Sequence, residues 1–332
     1  MQSIMEKLYS FQSLTYIESQ ELFTSIINKE VNLIQITAIL IAIKMRGESP
    51  EEIAGAASAL LEKAQNFSRP DYNFADIVGT GGDGSNTINI STASAFVAAA
   101  CGFKIAKHGN CNISSKSGSA DLLQAFNINL NMSAEQSRIA LDNLNICFLF
   151  TQKYHPIFQY VMPMRQQLKT RTLFNILGPL INPARPIMSL IGVYNRELTL
   201  PIAQTLKLLG YKRAIVVYGG GIDEVALHSL THVTELNGDK IINYVISPED
   251  FGLPFYPKNS LKGGTPKENF DIFTKLLQGK GNKAHESAVA INVAMLMKIF
   301  GKEDLYQNTK NALDVIRSGQ AYERINELAA RR

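Results

Sequence analysis

Three short stretches of the chain concentrate residue types that handle phosphates, hydroxyls and divalent cations. The first, DIVGTGGDGSNTINIST at 76–92, runs from an apolar start into Gly79, Gly81, Gly82 and Gly84 and resumes with hydroxyl and amide side chains. A strand that breaks into glycines and reopens as a helix presents free backbone amides to an anion, and a missing Cβ lets the anion come close. The spacing is neither GxxxxGK[ST] nor GxGxxG. Asp83 inside the loop repels a bare phosphate, so a ligand carrying hydroxyls as well as phosphates, such as a sugar phosphate, reconciles the two. The plainer alternative is a turn aspartate bonding its own backbone.

The second stretch, KHGNCNISSKSGSAD at 107–121, again follows a strand-like run. Lys107, His108, Asn110, Ser114, Ser115, Lys116, Ser117 and Ser119 supply donors for phosphate oxygens, and Ser119 with Asp121 is expected to cap the helix DLLQAF. One such stretch is an ordinary polar loop. Two of them after two strands of one parallel sheet share a crevice at the carboxyl ends of the strands. In the third stretch, YGGGIDEVAL at 218–227, Asp223 and Glu224 offer the hard oxygen ligands that Mg²⁺ uses beside water and substrate phosphates. An isolated Asp-Glu pair is otherwise a solvated helix start.

The elements that must position these residues can be read from patterning. Residues 1–70 carry no strand signal and three capping boxes, Thr15 with Glu18, Asn32 with Gln35 and Ser49 with Glu52, the last followed by Pro50 in the first helical turn. This predicts a small helical domain. LIQITAILIAIKM within it is apolar nearly all round, so more than one face must be covered, one of them by a second subunit. From residue 71 on, the runs ADIV (75–78), FKIA (103–106), CFLF (147–150), SLIGVY (189–194) and AIVVY (214–218) alternate with helical periods. Continuous apolarity of that kind belongs to a mainly parallel sheet covered by helices on both faces. Asn237-Gly238 between strand-like halves predicts an antiparallel hairpin, and Thr265-Pro266 a late helix start. The Pro-rich, basic segment 155–186 reads as helices joined by tight turns, which rejoin the amino-terminal helices over about 163–185.

The bounds agree with an enzyme-sized α/β chain. It has 332 residues, 45% hydrophobic and 19% charged, with a net charge of +4 spread along its length, which suits a small anionic ligand and does not single out nucleic acid. Cys101, Cys111 and Cys147 form no C-x-x-C pair, which points away from a disulfide framework or zinc site and toward the cytoplasm. The start MQSIMEKLYSF lacks the apolar stretch of a secretory signal, and ITAILIAIKM is about half of what spans a bilayer.

With these stretches in hand the chain resembles the anthranilate phosphoribosyltransferase family. The resemblance rests on GTGGD (79–83), NIST (89–92), KHGN with SSKSGSAD (107–121), RTLFNILGPLINPA (171–184), DE (223–224) and AHESAVAINVAMLM (284–297), in that order over nearly the whole length. It implies a homodimer paired through the helical domain and a cleft between the domains. There 5-phosphoribosyl 1-diphosphate and anthranilate, with Mg²⁺, combine to N-(5-phosphoribosyl)anthranilate and pyrophosphate, a step of tryptophan biosynthesis. By the same resemblance Gly79, Gly82, Asp83, Thr87, Asn89, Ser91, Thr92, Lys107, Gly109, Ser115 and Ser119 contact the phosphoribosyl donor. Gly79, His108, Asn110 and Arg165 line the anthranilate path; Ser91, Asp223 and Glu224 hold Mg²⁺; Lys107 and Arg165 are the catalytic pair. Two positions depart from the family: Cys111 stands where arginine is common, and Asn127 where glycine is usual, although asparagine tolerates a left-handed cap.

Two other readings share the fold. A pyrimidine nucleoside phosphorylase breaks a bond at the same anomeric carbon but needs a nucleobase pocket in place of KHGN and Arg165. A non-catalytic nucleic-acid-binding paralogue would lose KHGN or the Asp-Glu pair and gain a basic groove, which this sequence does not do.

Overall fold

The computed structural model of the chain describes residues 2–111 and 118–331. Seven strands form one sheet in the order β3-β2-β1-β4-β5-β6-β7: β1 Ala75–Gly79, β2 Ile105–Gly109, β3 Ile146–Phe150, β4 Met188–Gly192, β5 Arg213–Tyr218, β6 Thr231–Asn237 and β7 Lys240–Ile246. The first five are parallel, and β6 and β7 add an antiparallel edge. Successive residues of a strand point to opposite faces. Accordingly Leu190, Ile215 and Val217 enter the core under the helices Ile90–Ala100 and Lys283–Ile299, whereas Ile191, Ala214 and Val216 enter a second core. Both faces are covered, which is why these strands read as unbroken apolar runs.

The second core holds the amino-terminal helices Tyr16–Ile27, Leu33–Arg46 and Pro50–Glu62, together with Phe158, Val161, Met164, Phe174 and Leu177 from the 157–180 region. All three predicted capping boxes form, at Thr15, Asn32 and Ser49. Glu52 of the third box also accepts the Leu14 amide at 2.9 Å and pairs with Arg46, so one fully buried carboxylate ties three segments of this bundle. Helix Leu33–Arg46 buries Ile36, Ile39, Leu40 and Ile43, yet leaves Ile34 83% and Met45 69% exposed.

Three local expectations shift. Strand β2 begins later than FKIA and runs through Lys107, His108 and Gly109, because this polar end pairs in full register with β3. The hairpin turn is Gly238-Asp239: Asn237 pairs with Lys240, and Gly238 takes φ +59°, as the first residue of a type II′ turn requires. Ser119 is the first residue of helix Ser119–Ala125, and the cap is Gly118, whose amide Asp121 accepts at 2.9 Å. Asn127 adopts φ +59°, the left-handed conformation expected at that position.

Candidate active site

The carboxyl ends of β1, β2, β4 and the β5 connection meet around a cleft with two adjoining compartments. The first, of about 280 Å³, is lined by the whole glycine loop 79–84, Thr87, Asn89, Ser91, Thr92, Lys107, Ser119, Asp223 and Glu224. The second, of about 630 Å³, is lined by Arg165, Arg171, Phe158, Met162, Phe174, Asn175, Thr151 and Pro179. Gly79, Gly82, His108, Gly109 and Asn110 belong to both and form the passage between them. The residues singled out from the sequence for a site role border this cleft, except Ser114, Ser115, Lys116 and Ser117, which lie outside the described residues.

The acidic pair is seated by glycines. A Cβ at Gly79, the end of β1, would fall 2.2 Å from Asp223 Oδ2; at Gly192, the end of β4, 1.5 Å from the Asp223 carbonyl; at Gly219, just past β5, 2.3 Å from the Glu224 carbonyl. At Gly79, which also borders both compartments, the space left by the missing Cβ is taken by the protein's own carboxylate. Gly81 and Gly84 answer to conformation instead, with φ of +66° and +70° and open space where a Cβ would stand.

Hydrogen bonds interlock the seat with the loop. The Gly81 amide donates to Asp223 Oδ2 at 2.6 Å, and the Asp223 amide donates to Asp83 Oδ2 at 3.4 Å. Asp83 Oδ1 meanwhile accepts the Ser85 amide at 3.0 Å, so the plain turn role and the site role coexist. Glu224 accepts the Ser91 amide at 3.1 Å and the Ser91 hydroxyl, at the start of helix Ile90–Ala100, where partial positive charge collects. Burial first, then the charge of Asp83 on Asp223 and of Asp223 on Glu224, pushes both carboxyls well above the usual range. Among the described residues no three His, Cys, Asp or Glu side chains group as a metal cage. A divalent cation here would complete its shell with water and ligand oxygens, the habit of Mg²⁺.

Beneath the passage, β2 buries Lys107 and His108. Lys107 Nζ donates to the Ile77 carbonyl at 2.7 Å; burial lowers its pKa, opposed by the charges of Asp76, Glu224 and Asp223. Asp76 is raised by burial to about 6; its carboxylate accepts Asn182 Nδ2 at 2.8 Å and the His108 amide at 3.3 Å. His108 is a buried strand residue and not a loop histidine, and burial drops its pKa to about 3. Its Nδ1 lies 3.2 Å from the Gly178 carbonyl, which can only accept, so Nδ1 carries the proton; Nε2 lies 3.1 Å from Thr151 Oγ1, whose hydroxyl donates to the Gly109 carbonyl at 2.8 Å.

Arg165 lies on the helix Ile157–Leu168, half-buried, with its guanidinium 5.9 Å from the centre of the Phe174 ring. No described carboxylate or carbonyl meets it, and burial lowers its pKa, so a ligand anion is the acceptor it lacks. Arg171 was not identified from its residue type. Its guanidinium stacks 4.1 Å from the centre of the Tyr194 ring and donates to the Gly82 carbonyl, tying the glycine loop to the far wall. Only contacts across 89 residues of sequence reveal this, and no local signal carries it. Cys111, at a position where the family often has arginine, lines the polar compartment as a free thiol raised by burial to about 11.

Comparison with known proteins bears on this geometry. The family described as "Glycosyl transferase family, helical bundle domain" matches residues 2–64, and "Glycosyl transferase family, a/b domain" matches residues 71–322. The anthranilate phosphoribosyltransferase of Serratia proteamaculans is 63% identical over 331 residues, covering 100% of both chains. The chain belongs to the anthranilate phosphoribosyltransferase family. The crystal structure of the Thermus thermophilus enzyme superposes with a TM-score of 0.93 at 38% identity, covering 98% of each chain. The Saccharomyces cerevisiae enzyme in complex with PRPP and Mg superposes at 0.89 with 27% identity, covering 99% of this chain and 96% of that one.

Gly192→Ala drives a methyl into the Asp223 backbone, so the acidic pair must move. The variant is expected to lose at least tenfold in activity and to need more Mg²⁺ for half-maximal rate. Gly84→Ala, which meets open space, should cost about 1 kcal/mol of stability through its positive φ and keep the normal Mg²⁺ response. Thermal melts and Mg²⁺ titrations of the two variants separate packing from conformation.

Proposed function

We propose that this cleft transfers the 5-phosphoribosyl group from 5-phosphoribosyl 1-diphosphate to the amine of anthranilate, releasing pyrophosphate. The carrying observation is the pairing of compartments: one rich in loop amides, hydroxyls and half-buried carboxylates, the other aromatic-walled with an unpartnered guanidinium. Gly79, Gly82, Asp83, Thr87, Asn89, Ser91, Thr92, Lys107, Gly109, Ser115 and Ser119 are assigned to the donor, and Gly79, His108, Asn110 and Arg165 to anthranilate. Ser91, Asp223 and Glu224 would hold Mg²⁺, which supplies positive charge to the diphosphate as it departs.

In the reaction the amine nitrogen forms a bond to the anomeric carbon while the bond from that carbon to pyrophosphate breaks, its electron pair leaving on the oxygen. Positive charge grows on the ribose and negative charge on the leaving group. Lys107 and the loop amides face that negative charge with their dipoles already oriented. An aromatic amine is neutral at pH 7, so no strong base is required, and the proton it sheds passes to solvent. His108, neutral down to about pH 3, serves as polar wall. Arg165 fixes the anthranilate carboxylate through its planar fork and so aims the amine at the sugar.

The same reading includes a homodimer joined through the helical domain, whose exposed Ile34 and Met45 lie on one helix. It also places the chain in the cytoplasm: its cysteines are unpaired, and no described helix is long and apolar enough to cross a membrane. The phosphorylase alternative has no feature in its favour, because a nucleobase gives Arg165 no anion.

Three outcomes test these assignments. Arg165→Ala should raise the KM for anthranilate tenfold or more, the worth of a charged hydrogen bond, and the KM for the donor far less; equal rises contradict its role. For the acids the sign follows from their raised pKa values, which favour the protonated form in the fold. Their ionisation therefore costs stability as pH rises, and protons compete with Mg²⁺ as pH falls. Without metal, Asp223→Asn/Glu224→Gln should melt higher than the wild type above neutral pH, with the gap closing in acid, and its rate should not respond to Mg²⁺. Ile34→Lys should convert the dimer to monomer in light scattering; an unchanged mass places the interface elsewhere.

A further inference from the structure

A third cavity, of about 350 Å³, opens at the amino ends of β4 and β5, across the sheet from the cleft. That volume is in the range of small-molecule sites. Its floor includes Tyr211, only 8% exposed, whose hydroxyl meets no hydrogen-bond partner among the described residues. A phenol buried to that degree ordinarily finds one.

Two arginines stand at the rim. Arg69 has no acceptor among the described residues, and Arg185 spends one nitrogen on the Leu61 carbonyl at 2.9 Å. Glu62 also lines the cavity, one of its oxygens accepting from Gln20 at 2.7 Å, so two guanidiniums face a single carboxylate and the lining keeps an excess of positive charge. Arg185 is also held at φ +51° although the next residue is Pro186, a left-handed conformation that an ordinary side chain adopts only under strain. Its amide donates to the Asn182 carbonyl at 2.9 Å, and this turn aims the guanidinium at the carboxyl end of helix Pro50–Glu62 and over the cavity. Strain of that kind at a cavity mouth points toward function.

Leu61, Ile187 and Leu209 supply an apolar stretch of wall beside the Tyr211 ring, and Tyr16, Ser58 and Asn182 add neutral polar groups to the lining. Surplus positive charge next to an apolar stretch selects the ligand. We propose that this cavity binds a small carboxylate with a flat apolar body, the carboxylate between Arg69 and Arg185, the body over Tyr211 and Ile187, and the Tyr211 hydroxyl donating to it. A bare phosphate would leave the apolar wall unused. Asn182, which also lines the cavity, donates to Asp76 beneath the reaction cleft, so an occupant touches a residue shared with the catalytic sheet end.

The test is ¹⁹F NMR of the intact protein with 4-fluorobenzoate, using 4-fluorobenzamide as the neutral analogue. The wild type should show two bound resonances, one of them in the cleft and removed by Arg165→Ala. The other should survive Arg165→Ala, weaken at least tenfold in Arg69→Ala, weaken measurably in Tyr211→Phe, and be absent with the benzamide. Arg69 is exposed, so its variant should fold; an unchanged melt checks this. A single resonance that Arg165→Ala removes, equal binding of the benzamide, or displacement by inorganic phosphate as effective as by unlabelled benzoate overturns the assignment. Loss of the Arg165-dependent signal alone bears only on the proposed activity.

Discussion

The structure depends on seating two adjacent carboxylates where water reaches them only from the cleft. Asp223 and Glu224 sit half-buried at the carboxyl ends of parallel strands, where desolvation and mutual repulsion both oppose ionisation. What makes the arrangement tolerable is local: the Gly81 amide on one acid, the Ser91 amide and hydroxyl at a helix start on the other, and the buried Lys107 ammonium nearby. These partners compensate in part, and the residual excess of negative charge is what the proposed Mg²⁺ would neutralise. The glycines at 79, 192 and 219 follow from the same constraint, since a side chain at any of them would evict the pair.

Beneath this surface a second polar layer keeps the strands registered. Asp76 links Asn182, the His108 backbone and, by charge, Lys107, so the lysine is held in place by groups that do not themselves face the cleft. Stationary charge of this kind needs no reorganisation as the leaving group forms, which is where enzyme sites gain over water. Neutral His108 at the passage and His155 packed against it, lowered to about 3 and 4 by burial, add no positive charge there.

How legible this was depended on the range of the interaction. The helix starts at Thr15, Asn32 and Ser49 could be read because both halves of each box lie three residues apart, and that at Thr265 because Pro266 follows it directly. The strands could be read because two-sided burial leaves its mark on every position. Lys107 and His108 looked like loop because a polar pair at a strand end is stable only with Asp76, Gly178 and Thr151 around it, and none of these is adjacent in sequence. Gly192, Gly219 and Arg171 were missed for the same reason: each answers to a partner brought near by the fold. The Asp223 contact at Gly79 was not legible either, since a glycine that admits a ligand and one that admits a distant carboxylate look identical in sequence.

The two compartments draw on different parts of the chain, and that division carries mechanistic weight. The polar compartment is made from strand ends and the loops that leave them, fixed to the sheet by backbone pairing. The aromatic compartment is made largely from the helix Ile157–Leu168 and the segment after it, whose Phe158, Met164 and Phe174 pack in the core shared with the amino-terminal helices. On the proposed assignments, donor and acceptor would be gripped by two differently anchored walls. Among the described residues, ties between them include the Arg171 bond to Gly82, its stacking on Tyr194, and the His108 bond to Gly178. The distance from amine to anomeric carbon would then be set by such contacts and by what the substrates add, and a small movement of the helical wall would change it while leaving the charge-bearing seat intact.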